Sequence, residues 1–98
     1  MTSRKRQPTH PGGILKRHYM EPLNLTVSRL ADDLHVSRKT VSKIINERGS
    51  ITPDMALRLS KAFETSAELW LNLQTSYDLW NAALHSEEWK NVKTLITA

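Results

Sequence analysis

Two short amphipathic segments joined by a tight turn constrain the fold of this chain more than any other feature. In the first segment the apolar residues recur at i, i+3, i+4 and i+7, as on one face of a helix, and they are Val27, Leu30, Ala31 and Leu34. Thr26 precedes this segment as a good N-cap. Ser37 can cap the second segment, whose apolar face consists of Val41, Ile44 and Ile45. Residues 35–37 are too few for a strand, so the sequence predicts two helices packed across a turn.

Three further helices are expected around this pair, because no segment from residue 12 onward shows the sustained alternation that a strand needs. The first is predicted to run from residue 12 or 13 to Glu21, since the residue before Pro22 is pushed out of the α region. Thr52 as N-cap and Pro53 at the first helical position mark the start of the fourth. The predicted fold class is therefore all-α, with five helices.

The fifth predicted helix is apolar over more of its circumference than the others. Thr65 and Glu68, in capping-box spacing, predict its start, and the pattern continues to about residue 84. Five of its residues step by 3, 4, 3 and 4 positions, as in a heptad seam, and they are Trp70, Leu73, Tyr77, Trp80 and Leu84. A small domain covers only one face of such a helix, so we expect this seam to contribute to a homodimer interface. The alternative is that these residues form the core of the domain.

The two ends of the chain lack such patterns. Residues 1–11 carry Arg4, Lys5 and Arg6 but no apolar side chain after the first residue, which predicts a flexible basic arm that packs into no core. Residues 85–98 include a β-prone stretch and are interpreted as a short C-terminal tail. The helical domain is therefore assigned to residues 12–84.

Charge and composition narrow the functional classes. Residues 1–50 hold ten Lys and Arg against four Asp and Glu, whereas residues 51–98 hold four against six, within a net charge of +4. A basic first half favours an anionic partner. No apolar run approaches the roughly 20 residues that span a bilayer, and the N-terminus does not resemble a secretory signal. We therefore expect a cytoplasmic protein without a membrane partner.

Catalysis and metal binding have little support in the sequence. The chain has no cysteine, and its four histidines occur singly, without the HExxH spacing of a zinc site. Asp32 and Asp33 are adjacent and therefore diverge around a helix. Gly12 and Gly13 lack the flanking strand and the spacing of a phosphate-binding loop. We expect no enzymatic activity, no catalytic residue, no metal or other cofactor, and no small-molecule substrate.

The outer face of the third predicted helix is polar and cationic, and the core has no need of its residues, which are Arg38, Lys39, Thr40, Ser42, Lys43 and Asn46. Arg and Lys donate to guanine, Asn pairs with adenine, and Ser or Thr bonds bases or phosphates. Two helices across a short turn place such a face in the DNA major groove, as a helix-turn-helix does. His35 stands where glycine is common, which carries some cost if its φ is positive. A merely solvated face is the alternative, but the basic first half favours DNA.

The stretch from Leu30 to Asn46 resembles the Cro-like (XRE) helix-turn-helix. Four further segments are similar to the HigA/VapI antitoxin family, and these are Pro11-Gly12-Gly13-Ile14-Leu15, Glu21-Pro22-Leu23, Ile51-Thr52-Pro53-Asp54-Met55-Ala56-Leu57-Arg58-Leu59 and Leu69-Trp70-Leu71-Asn72-Leu73-Gln74. The resemblance implies a lambda-repressor-like five-helix domain that binds double-stranded operator DNA as a homodimer. It also implies repression of the protein's own toxin–antitoxin operon and neutralisation of a HigB-type, mRNA-cleaving toxin.

The resemblance assigns roles to individual residues as well. In the family the start of the third helix reads bases, which here implies base contacts from Arg38, Lys39, Thr40, Ser42 and Lys43. Phosphate contacts are expected from Thr26 and Asn46, and Ser37 completes the predicted DNA-binding set. Two alternatives remain open at this point: a stand-alone XRE-type repressor without a toxin, and a protein-interaction module whose basic helix is incidental.

Overall fold

The structure is a computed structural model that describes residues 7–96, and it contains only helices and connecting turns in that range. The elements are α1 (Pro11–Ile14), a π-helical segment (Leu15–Met20), α2 (Val27–Leu34), α3 (Arg38–Ile45), α4 (Pro53–Phe63), α5 (Ala67–His85) and a 3₁₀ turn (Glu88–Asn91). The predicted all-α, five-helix fold is confirmed. Arg4, Lys5 and Arg6 of the predicted basic arm lie outside the described residues.

Side-chain caps begin α2, α3 and α4 where the sequence predicts them. The hydroxyl oxygens of Thr26, Ser37 and Thr52 each accept a hydrogen bond from the backbone N–H three residues further on, at 3.0, 3.1 and 3.2 Å. Each cap satisfies one of the N–H groups that a helix leaves unpaired at its start. These local signals are sufficient to locate the starts of α2, α3 and α4.

The predicted start of α5 is wrong by one residue. Ser66 is the N-cap, and its hydroxyl accepts from the Leu69 N–H at 3.0 Å. The hydroxyl of Thr65 instead accepts from the indole N–H of Trp70 at 2.8 Å. A buried tryptophan usually has a partner for that N–H, and here the Thr65 hydroxyl takes this role while Ser66 caps the helix.

The first helix widens into a π-helix after its first turn, where the sequence predicts a single α-helix. Leu15 and Met20 are five positions apart, and both are buried in the core. The i→i+5 bonding of a π-helix places residues with this spacing on nearly the same side. The backbone N–H of Glu21 accordingly donates to the carbonyl of Lys16 at 3.0 Å.

A single core joins all five helices, and its buried apolar residues are Leu15, Met20, Leu30, Ala31, Leu34, Val41, Ile44, Ile51, Met55, Ala56, Leu59 and Trp70. Trp70 is completely buried, and the ring of Tyr19 packs on it at 5.3 Å between centroids. Complete burial leaves Trp70 no surface for a second chain, so its assignment to a dimer seam is wrong. Its neighbour Leu73 packs half-buried against the same core.

His10 and Pro11 correct the predicted extent of the N-terminal arm, because both side chains are buried. The Nδ1 atom of His10 accepts from the backbone N–H of Gly12 at 2.9 Å and so caps α1. The His10 ring also packs edge-on against Tyr77 of α5, with centroids 4.7 Å apart. Histidine is not among the preferred N-caps, so the local sequence carried no signal for this role. The folded domain thus begins two residues before the predicted residue 12.

Gly12 allows α1 to approach the C-terminal end of α3. A Cβ atom at this position would collide with the carbonyl group of Ile44, whose carbon would lie 2.7 Å away. The obstruction is backbone, which cannot swing aside as a flexible side chain can. By contrast, a Cβ at Gly13 would meet the guanidinium of Arg17, with the nearest nitrogen at 2.8 Å.

We therefore expect Gly12→Ala to lower the free energy of unfolding by about 1–3 kcal/mol, the usual cost of overpacking. Gly13→Ala is the matched control, because the Arg17 side chain can move and alanine favours the helix. Urea denaturation of the two variants measures the difference. Equal stability of the two would show that α1 and α3 are not held at this distance.

Candidate nucleic-acid interface

One face of α3 is anchored in the core, and the opposite face is open. Val41 and Ile44 are 1% and 3% exposed. Burial of each such side chain contributes about 1.5–3 kcal/mol, which is enough to hold a two-turn helix against the domain. The five predicted base-contacting residues are more accessible than this anchor. Arg38, Lys39 and Lys43 are exposed, and Thr40 and Ser42 are half-buried.

Two hydroxyl groups organise the start of α3. The Ser37 hydroxyl caps the helix and also lies 2.9 Å from the hydroxyl of Thr40. Both side chains therefore have a hydrogen-bond partner within the domain. A hydroxyl held in this way is pre-oriented for a ligand and loses little side-chain entropy on binding.

Arg38 connects the starts of the two helices of the motif. Its guanidinium lies 3.4 Å from the hydroxyl of Ser28 on the first turn of α2. The Thr26 cap is exposed at the same end of α2. The N-terminal ends of α2 and α3, with their positive dipole ends, are therefore close together, which suits a polyanion.

Asn46 ends α3 at the far side of the predicted interface. Its side-chain amide donates to the hydroxyl of Ser42 one turn earlier, at 3.3 Å. Asn46 is exposed and Ser42 is half-buried. This polar pair lies next to the exposed Lys43. It is at the C-terminal end of α3, whereas Arg38 is at the N-terminal end.

The turn between α2 and α3 contains a residue in the left-handed region. His35 has φ 61° and ψ 44°. Its φ is therefore positive, the case in which histidine carries a conformational cost at this position. The backbone N–H of Val36 donates to the carbonyl of Ala31 at 3.0 Å, which closes the end of α2. This geometry is a Schellman-type helix end with histidine in the position that glycine usually takes.

Sequence reasoning missed two polar side chains that hold the motif from outside. The guanidinium of Arg58 on α4 donates to the carbonyls of Leu34 and His35 in the turn. Gln74 on α5 is buried, and its carbonyl oxygen accepts from the backbone N–H of Ile51 at 2.7 Å. Asn72 and Gln74 both interrupt the apolar positions of α5, and nothing in the sequence distinguishes the buried Gln74 from the exposed Asn72.

The side-chain amide of Gln74 also donates to the carboxylate of Asp78 at 2.9 Å, so both ends of the amide are paired. The bond from the Ile51 N–H to Gln74 ties the loop between α3 and α4 to α5, and the bond to Asp78 orients the amide. Among residues 7–96, no group of three or more His, Asp or Glu side chains is placed to hold a metal ion, and no helix is long and apolar enough to cross a membrane.

The helix α3 is anchored in the core on one face, cationic on the opposite face and capped by a hydroxyl, and it follows α2 across a tight turn. These features define the protein as a helix-turn-helix protein. The family model described as helix-turn-helix matches residues 17–70. An uncharacterized HTH-type transcriptional regulator of Escherichia coli K12, YbaQ, is 49% identical over 80 residues, covering 82% of this chain and 71% of that protein.

Two further relatives narrow the class. Antitoxin HigA-1 of Vibrio cholerae is 38% identical over 99 residues and covers 100% of this chain and 93% of its own. The structure of the Pseudomonas aeruginosa antitoxin HigA with the higBA promoter superposes with a TM-score of 0.84 and 36% identity, covering 91% of this chain and 99% of that one. This chain therefore belongs to the HigA family of helix-turn-helix proteins.

Proposed function

We propose that this protein is a sequence-specific DNA-binding antitoxin of the cytoplasm, which represses its own operon as a homodimer and neutralises a HigB-type, mRNA-cleaving toxin. The observation that carries the proposal is the open polar face of α3, held at both ends by contacts from other helices. That face occurs in a chain that matches a HigA antitoxin along its whole length. The promoter complex of the Pseudomonas protein supports operator DNA as the ligand.

In this proposal the start of α3 enters the major groove. Arg38, Lys39 and Lys43 supply cationic donors for guanine edges, while Thr40 and Ser42 bond bases or nearby phosphates. The capped start of α2 and the end of α3 flank the groove, where Thr26 and Asn46 contact phosphates, and Ser37 contacts DNA from the capped start of α3. Phosphate contacts set the register of the helix, and base contacts supply the sequence preference.

We expect Arg38→Ala to weaken operator binding by about 1–3 kcal/mol if the guanidinium makes a bidentate base contact, and to weaken binding to random DNA much less. Fluorescence anisotropy on both duplexes measures the difference. Lys61→Ala is the charge-matched control, because Lys61 is exposed on α4 and belongs neither to the predicted DNA-contacting set nor to α5. Equal losses of Arg38→Ala on both duplexes would make Arg38 a phosphate ligand instead.

Dimerisation is proposed because one helix-turn-helix domain buries too little surface for tight, specific binding. A two-fold dimer presents two recognition helices about 34 Å apart to a palindromic site. The molecule is elongated, with extents of 52 × 24 × 22 Å, and the C-terminal half of α5 carries large exposed apolar side chains. Leu79, Leu84 and Trp89 are 67%, 58% and 52% exposed.

The proposed dimer surface therefore lies on the second half of α5 and on the segment that follows it. Tyr77 and Trp80 are half-buried and pack on each other, with ring centroids 6.0 Å apart. Along the helix they lie between the half-buried Leu73 and the exposed Leu84. With Trp70 excluded, four of the five predicted seam residues therefore stay in the proposed dimer surface. The Trp89 side chain is fixed at the C-terminal end of α5, because its indole N–H donates to the carbonyl of Ser86 at 2.9 Å.

Leu84→Glu is expected to convert the dimer into a folded monomer, because a carboxylate buried at an apolar contact loses its hydration. Leu57→Glu is the matched control: Leu57 is 61% exposed on α4, outside this surface. Analytical ultracentrifugation of both variants gives the mass in solution. A dimer that persists in Leu84→Glu would place self-association elsewhere.

A stand-alone repressor is the second candidate, and the name of the Escherichia coli relative as a transcriptional regulator favours it. The two candidates share the DNA interface and differ only in the toxin. A small reading frame adjacent to the gene, whose expression arrests growth unless this protein is co-expressed, supports the antitoxin. An adjacent frame without toxicity, or no such frame, supports the stand-alone repressor.

A further inference from the structure

We propose that Arg58 is a positioning residue for operator reading, because it fixes the turn that aims α3. The inference rests on the DNA-binding function proposed above. It concerns a residue on α4 that lies outside the two helices of the motif and outside the predicted DNA-contacting set. Arg58 acts on DNA only through the backbone of the turn.

The guanidinium of Arg58 joins three groups. Its Nη1 atom donates to the carbonyl of Leu34 at 2.8 Å and to that of His35 at 3.2 Å. Its Nε atom donates to the carboxylate of Asp54, one turn earlier on α4, at 2.7 Å. The carboxylate therefore orients the guanidinium, and the guanidinium connects the start of α4 to the end of α2.

These carbonyls belong to a helix end that needs an external donor. The last carbonyls of a helix have no partner within it, and the turn N–H groups of His35 and Val36 donate to Asp32 and Ala31. The carbonyls of Leu34 and His35 are instead bonded by Arg58. A cation placed at a helix C-terminus also interacts favourably with the helix dipole.

The turn carries a conformational cost that Arg58 offsets. His35 adopts a positive φ, which residues other than glycine rarely adopt because their Cβ crowds the neighbouring carbonyl. Charge-assisted hydrogen bonds to the flanking carbonyls stabilise this geometry over extended alternatives. Arg58 thus performs, from another helix, the stabilising role that glycine has at this turn.

The turn controls the orientation of α3 because the segment that connects them is short. Only residues 36 and 37 separate His35 from Arg38, where α3 begins. Val41 and Ile44 anchor the later part of the helix in the core, so a relaxed turn displaces mainly the first turn of α3. That first turn carries Arg38 and Lys39, and base contacts depend on their placement.

The test compares Arg58→Met with Lys61→Met, which removes the same charge from an exposed site nearby on α4. We expect Arg58→Met to weaken operator binding about tenfold, the equivalent of one charge-assisted hydrogen bond. Lys61→Met should retain the wild-type affinity. Both are assayed below the unfolding transition of Arg58→Met, which circular dichroism locates.

Salt dependence separates positioning from direct contact. If Arg58 bound a phosphate, its removal would reduce the slope of log affinity against log salt by about 0.9. We expect the slope of Arg58→Met to equal that of the wild type. A shallower slope would overturn the positioning role.

Two further variants test the mechanism at the turn. His35→Gly in the Arg58→Met background should recover part of the lost affinity, because glycine adopts a positive φ without a steric penalty. Asp54→Ala leaves the guanidinium in place but removes the group that orients it, so it should weaken operator binding less than Arg58→Met does.

Wild-type operator affinity in both Arg58→Met and Asp54→Ala would overturn the inference. Failure of the wild-type protein to prefer its operator over random DNA would instead overturn the proposed function. The two failures are therefore distinguishable in one set of titrations.

Discussion

The burial of one apolar edge of α3 is the interaction on which the rest of this structure depends. Val41 and Ile44 enter the core that Trp70 fills from α5, and Ala31 lets α2 pack close beside them. Because Val41 and Ile44 face inward together with the half-buried Ile45, the other side of a two-turn helix is left to polar residues. The proposed DNA-reading surface is thus a direct consequence of how the core closes.

A short helix held along one edge could still tilt, and contacts at its two ends oppose this motion. At the C-terminal end, the absence of a side chain at Gly12 lets α1 meet the Ile44 carbonyl. At the N-terminal end, Arg58 bonds the carbonyls of the turn. Gln74 adds a link from the following loop to α5, which connects the proposed DNA surface to the proposed dimer surface.

Local patterns in the sequence predicted the fold and the outward-facing polar side of α3. Apolar spacing located the helices, and the hydroxyl caps at Thr26, Ser37 and Thr52 located their starts, because both signals act within a few residues. The predicted base-contacting residues lie on the side of α3 that the core leaves open. Their contacts with DNA stay a prediction.

Interactions between distant residues account for what the sequence did not reveal. His10 is buried against Tyr77, although a polar, proline-rich N-terminus suggests a solvated arm. Trp70 matched a heptad seam but fills the monomer core, since periodicity identifies a buried face without identifying what covers it. In the sequence, Arg58 resembles an ordinary surface residue and Gln74 a polar position of an amphipathic helix. Their roles are not evident there because their partners are backbone groups more than twenty residues away.

In the proposed complex, two copies of α3 read the major groove of one operator. Methylation protection of guanine N7 on the DNA upstream of the gene reports on these contacts, because N7 lies in the major groove. We expect two clusters of protected guanines about one helical turn apart. Protection of a single cluster, or binding that leaves every guanine N7 reactive, would contradict it.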